Sequence, residues 1–155
     1  MNFLNIIPYD ELGVRLNASR KTYYFRTKSQ DVIRSENLFW LAAINTFPLD
    51  PPKFSPGFNL YALQDSMFGG LLGKSDRNVD IVWEHVDSIS KQFLYEKVIM
   101  LHDLARQIQP TEERRKAAES GIKMRLFLVC SNLKSVRRLS QEFSFLERLD
   151  YEKKN

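Results

Sequence analysis

The spacing of apolar positions along this chain changes several times, and each change marks an element. Residues 3–16 mix apolar and polar positions and are broken by Pro8 and Gly13, which predicts a short hairpin or irregular arm over 1–21. Thr22 to Thr27 (TYYFRT) is dense in β-branched and aromatic residues and predicts a strand. Ser35 can cap a helix running to about Thr46, apolar almost all round from Leu38 to Ile44 and therefore expected in the interior. Pro48, Pro51, Pro52 and Pro56 forbid regular structure and form a loop. Leu60, Leu63 and Met67 then recur at helical spacing until Gly69-Gly70.

After a polar turn at Lys74 to Asn78, Val79 to Val86 (VDIVWEHV) alternates imperfectly and predicts a second strand. Leu94, Val98, Leu101, Ala105 and Ile108 trace one stripe of a long helix over about 90–109, which Pro110 stops. Thr111 can cap a further helix, with Glu112 and Glu113 at its positive end and Gly121 closing it. Lys123 to Cys130 (KMRLFLVC) predicts a third strand, apolar enough to be buried on both faces. Leu133, Val136, Leu139, Phe143, Leu146 and Leu149 line one side of a C-terminal helix. Strands separated by helices pair in parallel, because parallel neighbours need a crossover. The expected fold is therefore α/β, with an arm over 1–21, a domain over 22–132 and an amphipathic helix over 133–155 packed on that domain.

Composition narrows the class. A chain of 155 residues with 43% hydrophobic and 27% charged residues suits one soluble domain with a real core. No apolar run approaches the roughly 20 residues that span a bilayer. The start, MNFLNIIPYDELG, has neither a basic leader region nor a small-residue cleavage site, so no signal peptide is expected. One cysteine, Cys130, excludes an internal disulfide and fits a reducing, cytoplasmic setting. A net charge of +4 is too small to argue for nucleic acid by itself.

The stretch Ser55 to Gly70, SPGFNLYALQDSMFGG, carries the most information. A Pro56-Gly57 turn leads to Asn59 at the N-cap position of the helix, and Asp65 lies off the apolar stripe. This stretch resembles the central motif of the barstar family, small protein inhibitors of barnase-like ribonucleases. There a glycine-containing loop leads into an Asn-Leu-x-Ala-Leu-x-Asp helix, and here Gly57, Asn59, Leu60, Ala62, Leu63 and Asp65 match it. The element order over Thr22 to Asn132 is also similar, and Trp83 ends the second strand where the family commonly has a tryptophan. The long helix at 90–109, the arm and the helix from 133 depart from the family.

The resemblance implies a barstar-like three-stranded parallel sheet with packed helices. It also implies an immunity protein, not an enzyme, that occludes a cognate toxin, expected to be a ribonuclease. Such an inhibitor places carboxylates where the substrate phosphate would lie. The implied contact residues are Phe54, Gly57, Phe58, Asn59, Tyr61, Gln64 and Asp65, with Asp65 at the family's central position. An interface of roughly 1,200–2,000 Å² needs more than this patch, so Glu84 at the end of the second strand is expected to join. Tyr61, Gln64 and Lys116 stand where the family has an acidic, an aromatic and a glutamate residue. The acidic face is therefore largely missing, which shifts specificity away from barnase-like enzymes.

Catalytic signals are weak. His85 and His102 lie in separate elements, and no Cys/His/Asp set has metal-ligand spacing. Cys130 with His85 on a neighbouring strand would make a nucleophile–base pair, but a buried inert thiol is the ordinary reading. Gly69-Gly70-x-x-Gly73 lacks the preceding strand and the following Lys-Ser/Thr of a phosphate loop. No cofactor, metal, membrane or small-molecule substrate is expected. The alternative function is a non-enzymatic nucleic-acid-binding accessory protein using Tyr23, Tyr24, Arg26, the basic run Arg114-Arg115-Lys116 and Arg137-Arg138.

Overall fold

The computed structural model of the protein describes residues 3–25, 36–50, 60–72, 78–107 and 124–146. Among these residues four strands form one sheet: β1 Leu4–Pro8, β2 Lys21–Phe25, β3 Val79–Trp83 and β4 Met124–Cys130. Their order is β1-β4-β3-β2 and every pairing is parallel. Five described α-helices accompany them: α1 Leu12–Arg15, α2 Glu36–Thr46, α3 Leu60–Met67, α4 Lys91–Gln107 and α5 Leu133–Glu142.

The three helix-separated strands of the sequence reading are present, each within a few residues of its expected bounds. The count is four, because the segment expected as an arm supplies β1, paired from Leu4↔Leu126 to Pro8↔Cys130. Pro8 and Gly13 misdirect the sequence reading here. Pro8 ends the strand at the sheet edge, where a missing N–H is tolerated, and Gly13 falls inside α1, not in a hairpin. The second strand stops at Trp83, short of Val86, because His85 takes a left-handed backbone (φ 57°) and begins a turn. The C-terminal helix runs to Glu142, turns at Phe143 and is helical again over 144–146, and the rest of its expected span, with Leu149, lies outside the described residues. The helix expected over 111–121 lies outside the described residues.

The two faces of the sheet are unequal. On one, Val79, Ile81, Trp83, Leu126 and Leu128 pack with Phe39 and Ala43 of α2, Leu63 and Met67 of α3, Leu94 and Val98 of α4, and Leu139 of α5. Stacked and edge-on rings of Phe25, Phe39, Phe47 and Trp83, with centroids 5.1–5.8 Å apart, fill its centre. On the other face Val82, Phe127, Val129 and Ile7 gather with Leu12 of α1. A right-handed crossover demands this split: the chain steps one way across the sheet from β2 through β3 to β4, and the opposite way from β1 to β2.

Leu139, Phe143 and Leu146 are buried, so the C-terminal stripe packs on the domain, but Leu133 at its start is 58% exposed. Lys97 of α4, next to the apolar stripe of Leu94 and Val98, is buried as well. Its ammonium lies 5.2 Å from the Phe39 ring centre and 4.7 Å from that of Phe93, a cation–π arrangement that periodicity alone does not reveal.

Candidate functional site

Helix α3 is held in place from below and behind. Leu63, Ser66 and Met67 are buried, and the Asp50 N–H donates to the Ser66 carbonyl at 3.0 Å. Past Met67 the helix widens into a π turn, Phe68–Leu72. Gly70 within it lies so close to the preceding loop that an added Cβ would sit 2.0 Å from the Pro48 carbonyl oxygen. Only glycine permits that approach, which clamps the end of α3 onto residues 48–50.

The outward side of this clamped helix is aromatic and acidic. Tyr61 is 78% exposed, Asp65 is exposed, and Phe68 is 41% exposed. The three recur at i, i+4 and i+7, one face of a helix. Gln64 flanks them, half-buried. The structure thus brings Tyr61, Gln64 and Asp65 together and adds Phe68. Its i+7 spacing from Tyr61, inside the predicted helix, is the signal that could have found it. Phe54, Gly57, Phe58 and Asn59 lie outside the described residues. Glu84 sits elsewhere, at the carboxyl edge of the sheet.

There, a cavity of about 310 Å³ is lined by Tyr9, Glu84, His85, Val129, Cys130 and Ser131. The Asp87 carboxylate holds one of these residues, accepting from the Ser131 N–H at 3.1 Å and from its hydroxyl at 3.2 Å. Asn132 caps α5 by accepting from the Ser135 N–H at 2.8 Å. His85 and Cys130 do share this cavity. Burial, then the neighbouring Asp87 carboxylate, pushes the Cys130 thiol up to about 11 against a smaller opposing pull from Arg138. A thiol that keeps its proton so far is a poor nucleophile. Among the described residues no three His, Cys, Asp or Glu side chains are grouped to hold a metal ion.

At the opposite, amino edge of the sheet lies a buried ionic cluster. Asp80 accepts from Arg20 Nε at 2.6 Å, from Arg125 Nε at 2.8 Å and from an Arg125 terminal nitrogen at 2.6 Å. Arg20 also donates to the Val79 carbonyl at 3.1 Å. These bonds tie the residue before β2 to β3 and β4, a structural role far from both surfaces described above. The residues of the nucleic-acid alternative do not converge. Tyr23 packs its ring against Phe47 on the main core face, while Tyr24 points to the other face, and Arg137 and Arg138 stand exposed on α5. Arg26 and the basic run at 114–116 lie outside the described residues. No described helix is long and apolar enough to cross a membrane. Compared with known protein families, curated proteins and solved structures, the chain matches none.

Proposed function

We propose that this chain is a barstar-like immunity protein: a non-enzymatic inhibitor that binds a cognate toxin, a ribonuclease in the simplest case, and covers its active site. The observation that carries the reading is the Tyr61–Asp65–Phe68 face of α3, an exposed carboxylate between two aromatic side chains on a helix locked to its surroundings. Aromatic anchors around one central charge are what a tight interface concentrates, and a rigid platform lowers the entropic cost of docking. In support, β2, β3 and β4 are parallel neighbours with helices between them, and the sequence order of elements over Thr22 to Asn132 resembles that of the barstar family, with β1 and α5 as additions. The scattering of Tyr23, Tyr24 and the α5 arginines favours this reading over a nucleic-acid surface.

The test is inhibition of purified ribonucleases, including any nuclease domain encoded beside this gene, titrated with the full chain. One of them should be inhibited at a one-to-one ratio. Asp65→Ala should stay folded and bind about 30-fold more weakly, the equivalent of about 2 kcal/mol for leaving a cationic partner unpaired at an interface. A folded Asp65→Ala protein with unchanged affinity would place the docking surface elsewhere. Salt-sensitive RNA binding without nuclease inhibition would replace the reading with the accessory one.

A further inference from the structure

We draw no further inference here: the strongest candidate, the exposed basic face of α5 formed by Lys134, Arg137 and Arg138, is a surface patch of three cations, and nothing in the structure shows what covers it.

Discussion

Replacing Asp80 by asparagine should be among the most damaging single changes this chain can suffer. Asp80 has no exposed surface, and its two oxygens take three short hydrogen bonds from Arg20 and Arg125. Both arginines are themselves more than nine-tenths buried. Burial already pulls the Arg20 guanidinium below its usual value, although the bond and charge of Asp80 oppose it. The amide side chain would keep the shape and lose the charge, leaving two buried cations without the carboxylate that bridges them. Removing one partner of a buried ionic cluster costs about 3–5 kcal/mol. Whole domains are stable by about 5–15 kcal/mol. At this chain length each kcal/mol moves the midpoint by about 2–4 °C, so the melting temperature should fall by about 6–20 °C. Urea unfolding followed by circular dichroism reads the change directly. A triple change, Asp80→Leu with Arg20→Met and Arg125→Met, should be within about 1 kcal/mol of the parent or more stable, since the whole buried cluster is then replaced by apolar side chains. An Asp80→Asn protein that loses under about 1 kcal/mol at unchanged denaturant slope would refute the reasoning.

Cys130 should resist iodoacetamide at pH 8 in the folded protein and react at once in urea. Its unfolded thiol ionises near 9.0 and its folded thiol near about 11, so the stability it contributes is complete below pH 9 and lost as pH rises toward 11, which thiolate absorbance during a pH titration will follow. Gly70→Ala should destabilise by about 1–3 kcal/mol or more, measured by thermal melting, because the methyl group would overlap the Pro48 carbonyl. Truncation after Asn132 removes buried Leu139, Phe143 and Leu146, each worth about 1.5–3 kcal/mol, and should give a lower melting temperature or aggregation in light scattering. A truncated chain as stable as the parent would show that α5 is dispensable.

The parts of this fold legible in sequence are those whose signal is local. TYYFRT, VDIVW and MRLFLVC announce strands by composition, and the stripe from Leu94 to Ala105 announces the buried side of α4. The α3 face was legible for the same reason, since Tyr61 and Asp65 stand off the stripe set by Leu63 and Met67. What was not legible depends on partners far along the chain. LNIIP becomes a strand because β4 lies beside it, and nothing near residue 8 signals that. Asp80 looks like an outward polar position of an alternating strand, yet its counter-ions come from 60 and 45 residues away. The cavity at the carboxyl edge needed both the place of β1 and the direction in which each loop leaves the sheet. The neighbouring positions of His85 and Cys130 hinted at only two of its walls.

The parallel pairing of β1 with β4 also sets a timetable for synthesis. Leu4 sits beside Leu126, so the first of the four strands to be made is the one that must wait longest for its neighbour. At ribosomal speeds of about 5–20 residues per second, the partner emerges roughly 6–24 s later. Through that interval β1 is an unpaired apolar segment of the nascent chain, while β2 and β3 already have each other within reach. The sheet is thus fastened last at its oldest edge.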